Sequence, residues 1–516
     1  MESVAASFHA VDWLVVVGYL ALTTWLGHRL KGSQATIHDF FLGGRKLPWP
    51  AVSGSIIATE ISALTFVGVP GLVYAAGGDF TYLQWGIGSV AARFLVGFFL
   101  VHRYYAEEIY SPYDYMANRL GNGVGTLTTI LFSLGAILGQ SVRVLVTATI
   151  LSSVTVLPFN VCIIVIGIFA VVWTLMGGMT TVIWTDVMQF GLFVFGGLLA
   201  VGWLLGSMDG GISEWLSIAG EAGKLEWINL TSPLEDPSVN FTLWVALLAM
   251  PFQNLAAFGT DQLNAQRMLC CRNAGDARKA IVWSSISQLI TLMMLVVGSG
   301  LFVYYHSYPP TSEISELFRN QSDRVFPVWI VTVLPVGLSG LVLAGAFAAA
   351  ISSLDSILAA LSQTTLSALK NQGLMKDLNR AKLIARSRQL VVFWGITLTG
   401  FAVVLETLRE NTNLVNLAFG MTAYTYGPML GILALALSGK KVSLGYLIAG
   451  LLFSLAVTLY VRPDLAQALF HLGILSEGEV EDWASGISYA WLYPVTCFLT
   501  CAPAWAASYL SKESID

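Results

Sequence analysis

What most limits the fold of this chain is a succession of long stretches almost empty of charge, running from one end to the other. Each is near or above the ~20 residues a helix needs to cross ~30 Å of hydrocarbon. With 56% hydrophobic and 11% charged residues among 516, a soluble chain could not cover its surface. The runs are continuous rather than alternating, so they do not read as the strands of a membrane barrel. The expectation is an all-α polytopic membrane protein, with residues 1–516 forming one transmembrane domain. The first run follows Glu2 and Asp12, and its basic flank, Arg29 and Lys31, comes after it. That is the reverse of a cleavable signal peptide, so it reads as a retained helix with its N-terminus outside. The five cysteines show neither zinc spacing nor a secreted disulfide framework. No nucleic-acid motif and no obligate protein partner is evident; the partners implied are the lipid bilayer and small molecules.

Thirteen spans are expected: an initial helix over 11–29, five at about 47–76, 81–105, 123–155, 158–176 and 180–206, five more at about 242–260, 278–306, 334–369, 386–408 and 412–438, and two last ones at about 443–461 and 487–510. The turn between the spans ending at 176 and starting at 180 rests on Gly177-Gly178. With the N-terminus outside, nineteen of the 26 lysines and arginines fall on the cytoplasmic side and five outside, while Arg93 and Arg143 lie within spans. This asymmetry fits the positive-inside rule and places the C-terminus in the cytoplasm. The lack of a targeting signal and the compact tails suit a plasma (bacterial inner) membrane.

Setting aside the first helix (11–29) and the last two (443–510) leaves ten spans, five in 47–206 and five in 242–438. An odd repeat unit forces the halves into opposite orientations, the inverted-repeat architecture of many secondary transporters. The first span of each half is interrupted by polar or helix-breaking residues. In "SGSIIATEISALTFVG" (53–68) they are Thr59, Glu60, Ser62 and Thr65; in "LLAMPFQNLAAFGTDQ" (247–262), Pro251, Gln253, Asn254 and Gly259. Paired interruptions of this kind point to a binding site near the bilayer midplane.

Several stretches carry a family resemblance: "DFFLGGRKLPW" (39–49), "SPYDYMANRLG" (111–121), "GGMTTVIWTDVMQ" (177–189), "GTDQLNAQRML" (259–269), "GLVLAGAFAAAISSLDSILAALSQTTL" (340–366) and "YGPMLGI" (426–432). Together the chain resembles the sodium:solute symporter family, which implies a LeuT-like fold of five plus five helices with one extra N-terminal and two extra C-terminal helices. The resemblance implies a Na+ site made by backbone carbonyls of Ala58, Ile61 and Ala349 and hydroxyls of Ser352 and Ser353. A hard cation wants oxygen ligands, and a broken helix frees carbonyls to supply them. Asp186 matches a family aspartate on the sodium path toward the cytoplasm. In some members a second sodium lies between core helices 5 and 8, where this chain has Asp355 and Ser356. A carboxylate at Asp355 departs from the family serine, and an ionisable group at mid-span is a functional candidate.

The resemblance places the substrate among core helices 1, 2, 3, 6, 7 and 10. The candidates are Thr59, Glu60, Thr65, Gln84, Gln140, Arg143, Gln253, Asn254, Phe258, Gln288 and Tyr424. Most donors of the sugar-transporting branch are absent, and Leu64 and Ala257 offer a pyranose no hydrogen bond. Arg143, in the middle of a span, must find an anion. Three pairings are open: Glu60, a substrate carboxylate held in a fork, or a zwitterion shared between Arg143 and Glu60. No nucleophile–base pair or metal cluster suggests an enzyme. The leading reading is sodium-coupled symport of a small polar organic solute, an organic anion or zwitterion rather than a hexose. Proton coupling is the nearest rival. A solute sensor is less favoured, because only "SKESID" follows the last span.

Overall fold

The structure is a computed structural model and describes residue 4 and residues 6–30, 42–175, 179–373, 380–408, 413–440, 442–483 and 486–513. The Gly177-Gly178 turn and Lys31 lie outside the described residues. The long helices follow the apolar runs: α1 (Ala10–Arg29), the pair α2 (Trp49–Glu60) and α3 (Ala63–Tyr74), α4 (Thr81–Ala106, with a π turn at Val96–Leu100), α5 (Asn122–Val154), α6 (Phe159–Thr174) and α7 (Met179–Gly206). Three shorter helices come next, α8 (Leu243–Leu248), α9 (Met250–Gly259) and α10 (Gln262–Leu269). The chain continues through α11 (Ala274–Ser307), α12 (Leu338–Asn371), α13 (Arg380–Leu408), α14 (Leu414–Thr422), α15 (Tyr426–Ser438), α16 (Leu444–Val461) and α17 (Leu492–Glu513). Among the described residues, nine helices are long and apolar enough to cross a bilayer, and the bent pair α2–α3 makes a tenth. The other three expected spans fall on α6, which has only 16 residues, on the interrupted α8–α9, and on α17.

Burial sorts these helices into a centre and a rim. The most apolar window of α12 is 94% buried, that of α1 only 22%. Leu14, Val17, Leu22 and Trp25 of α1 stay exposed, as suits side chains solvated by lipid tails. Yet α1 is not a loose appendage. Asp12, fully buried, accepts hydrogen bonds through Oδ1 from Gly337 N (2.6 Å), Ser339 Oγ (2.6 Å) and Gly340 N (3.1 Å). It thereby caps α12, whose first amides have no partner within the helix. Gly337 takes φ 89° to start that turn, and a Cβ on Gly340 would stand 2.6 Å from the Asp12 carbonyl oxygen. The sequence reading saw Asp12 only as an acidic flank. Asp12→Ala strands three donors inside the protein, at a cost of ~2–4 kcal/mol. The expected outcome is a lower thermal unfolding midpoint in detergent, partly restored in Asp12→Asn.

Both expected interruptions are present. The axes of α2 and α3 meet at 50°. Ile61 (φ −77°, ψ 84°) and Ser62 (φ −100°, ψ −177°) leave the helix, and Ser62 Oγ caps α3 at Leu64 N. Of the second half's interrupting residues, Pro251 sits in the first turn of α9, where its missing N–H costs little, and Gly259 is the last residue of that helix. The chain turns at Thr260–Asp261, and Asp261 caps α10 through Leu263 N at 2.8 Å.

Candidate functional site

The break between α2 and α3 rewires the backbone. Ser62 N donates to Glu60 O (3.0 Å) instead of Ala58 O, and Thr65 N donates to Ser62 O (2.9 Å) instead of Ile61 O. The carbonyls of Ala58 and Ile61 are therefore released from the helical ladder. Thr59 O accepts from Arg143 Nη1 on α5 (3.2 Å) and, weakly, from Ser353 Oγ on α12 (3.4 Å). Ser353 Oγ also faces Ala349 O at 3.3 Å. The structure thus brings the break and the Ser352–Ser353 step together, with neutral oxygens facing one another across α2 and α12. Such a set fits a monovalent hard cation that must also leave again.

One turn deeper lies a buried ionic cluster. Asp186 on α7 is fully buried. Its Oδ1 accepts from Ser352 Oγ (2.5 Å), and its Oδ2 from Ser55 Oγ (2.5 Å) and Arg267 Nη2 (3.0 Å). Arg267 Nη2 also reaches Ser356 Oγ (2.6 Å), Nε reaches Ser55 Oγ (2.9 Å) and Nη1 its own Leu263 O (2.7 Å). Ser356 Oγ bonds Ser352 O (2.6 Å) and Asp355 Oδ1 (3.0 Å). So Asp186, Asp355 and Ser356 do converge, around the Arg267 guanidinium. All eight residues of α10 are buried, so Arg267 points into the protein. Arg267 pairs with Asp186, while among the described residues Asp355 meets only the Ser356 hydroxyl.

Beside the break is a cavity of about 160 Å³. Of the candidate substrate residues, Thr59, Glu60, Thr65, Gln140, Arg143, Gln253, Asn254, Phe258 and Gln288 line it. Gln84 and Tyr424 do not. The Gln84 amide is spent on Thr81 O (3.3 Å) and Phe241 O (3.2 Å), and the Tyr424 hydroxyl on Asp464 Oδ2 (2.8 Å). Their neighbours Trp85 and Tyr426 take the wall positions. At one end Trp85 packs edge-on against Phe419, centroids 5.0 Å apart, with Tyr82 beside them. At the other, Tyr426 Oη donates to Asp261 Oδ2 (2.6 Å). The side-chain carbonyl oxygens of Gln140, Gln253 and Asn264, all in the wall, have no hydrogen-bond partner among the described residues.

Of the three pairings open for Arg143, the one with Glu60 is not formed. Glu60 pairs with Arg93 of α4 through Oε2. Arg93 is fully buried, donates Nη1 to Ser284 O (2.8 Å) and Ser287 Oγ (2.9 Å), and lies 4.5 Å from the Phe258 ring centroid. Arg143 is left with the Thr59 carbonyl, and among the described residues it forms no ion pair. Arg93 stands behind the cavity wall rather than in it, and its lone charge inside an apolar span is the signal in the sequence that could have marked it.

The comparisons agree with this architecture. Residues 40–452 match the sodium:solute symporter family. The chain is 27% identical to the sodium/sialic acid symporter SiaT of Proteus mirabilis over 493 residues, covering 92% of this chain and 94% of that one. It is also 27% identical to the human sodium-coupled monocarboxylate transporter 1 over 463 residues, covering 88% and 73%. A solved Na+-coupled sialic acid symporter in a substrate-bound, outward-open state superposes with a TM-score of 0.80 at 24% identity, over 98% of each chain. The chain belongs to the sodium:solute symporter family: it is a multi-pass membrane transporter of LeuT-like fold rather than an enzyme, and sodium is its coupling ion.

Proposed function

We propose that the protein imports a small organic anion together with sodium by alternating access. The observation that carries this is the state of Arg143: it faces the cavity without a carboxylate partner, because Glu60 is already held by Arg93. A guanidinium in such a wall favours a carboxylate gripped in a fork. The unpaired oxygens of Gln140, Gln253 and Asn264 ask for O–H or N–H donors on the rest of the solute, since a buried acceptor left unpaired costs ~1–3 kcal/mol. The relatives named for sialic acid and for monocarboxylates handle carboxylates, which supports the anion over a zwitterion.

Charge balance supports sodium at Ala58, Ile61, Ala349, Ser352 and Ser353. The charged wall residues Glu60, Asp261 and Arg143, with Arg93 behind them, sum to zero. Sodium at the break adds one positive charge, and a monoanion closes the balance. The Asp355 carboxylate, which no guanidinium among the described residues pairs with, and the Ser356 hydroxyl beside it support a second cation there, with Asp186 on the exit path. The two halves of the repeat are taken as 47–206 and 242–438, in a plasma (bacterial inner) membrane with the C-terminus in the cytoplasm.

Reconstituted proteoliposomes test this reading. An inward sodium gradient is expected to drive uptake of a carboxylate. Uptake driven equally by a proton gradient without sodium would favour the proton-coupled alternative.

A further inference from the structure

We infer that Arg93, which does not line the cavity, determines which charge the cavity accepts: by holding Glu60 it keeps Arg143 available to an anion. This rests on the anion reading above and goes beyond it, because it assigns the selectivity to a residue outside the site. Three observations carry it. First, Arg93 is committed. Both terminal nitrogens are engaged, by Ser284 O, Ser287 Oγ and Glu60 Oε2, and the guanidinium carbon lies over the Phe258 ring, 4.5 Å from its centroid. A fully buried, anchored cation of this kind is a fixed counter-charge rather than a mobile ligand. Second, Glu60 is the half-open member of the pair, its side chain 25% exposed against 0% for Arg93. Its second oxygen has no partner among the described residues, so the carboxylate faces the solute. Third, Glu60 follows directly on Thr59, whose carbonyl Arg143 holds at 3.2 Å. Glu60 and the Thr59 carbonyl that anchors Arg143 are thus adjacent on the broken helix, and both charged side chains line one cavity.

The consequence is electrostatic. With Arg93 in place the charged wall is neutral; without it the wall carries one net negative charge and repels a carboxylate. An uncompensated Glu60 in a low-dielectric cavity would then seek Arg143, or the ammonium group of a zwitterion. Arg93 thereby separates two solute classes that differ only in carrying an ammonium group beside the carboxylate.

The test compares hydroxy acids with their amino counterparts, lactate with alanine and gluconate with glucosaminic acid, by sodium-dependent thermal stabilisation of the purified full chain. The wild type is expected to favour the hydroxy acid by about tenfold or more in apparent affinity, a step of ~1.4 kcal/mol. Arg93→Met is expected to cut that ratio at least about tenfold. The double variant Glu60→Gln/Arg93→Met removes both charges at once, a replacement that buried pairs commonly tolerate, and is expected to restore the preference to within about threefold. A purely structural role for Arg93 would lower stability without moving the ratio. An unmoved ratio in Arg93→Met overturns the inference alone. So does a double variant that has lost the preference, which keeps the test decisive if Arg93→Met does not fold. A wild type that favours the amino compounds overturns the anion reading itself.

Discussion

Replacing Arg143 with alanine is expected to raise the solute concentration for half-maximal sodium-driven uptake by about 30- to 1,000-fold. A buried, charge-assisted pair is lost with one partner left behind, at a cost of ~2–4 kcal/mol. Arg143→Lys keeps the charge but not the planar fork, so an intermediate loss of about tenfold is expected. Proteoliposome uptake at saturating sodium separates this effect from ion binding. Tyr424→Phe serves as the control: that hydroxyl bonds Asp464 and lies off the cavity, so the half-saturation value should stay where it is. An Arg143→Ala protein with unchanged solute affinity would remove the anion reading.

The second large effect concerns the ion. Ser353 Oγ stands between Thr59 O on the broken helix and Ala349 O on its own helix. Its removal takes one oxygen from the proposed sodium shell while changing little else in the packing. Ser353→Ala is expected to raise the sodium concentration for half-maximal uptake by about tenfold or more, with solute affinity at saturating sodium nearly unchanged. Ser352→Ala is a less clean probe. Ser352 Oγ also donates to Asp186 Oδ1 at 2.5 Å, and its loss disturbs the Arg267 cluster as well.

The parts legible in the sequence are those encoded locally. Apolar runs fix helix positions, because a backbone in lipid must satisfy its own hydrogen bonds. A Ser at position 62 inside such a run marks the break, because its hydroxyl can cap the helix that restarts. The hydroxyls at 352 and 356 lie four residues apart on one helix face, so their convergence on the Asp186–Arg267 pair follows from periodicity.

What the sequence left open depends on how helices rotate and cross. Glu60 had two arginines within reach in principle, and only the packing of α4 against the broken pair selects Arg93. Arg267 looked like a loop charge because it follows the end of a span. The Asp261 cap starts a new helix there, and that helix carries Arg267 back inside. Gln84 and Tyr424 were each one or two residues away from the side chains that line the cavity, Trp85 and Tyr426. A helix turns ~100° per residue, so a one-residue error changes the face.

The most direct measurement is an experimental structure of the protein in sodium chloride compared with one in potassium chloride. The account predicts a sodium-dependent density peak enclosed by the carbonyl oxygens of Ala58, Ile61 and Ala349 and the hydroxyls of Ser352 and Ser353. A peak seated elsewhere, or a helix running unbroken through Ile61 and Ser62 with no ion beside Ser353, would contradict it.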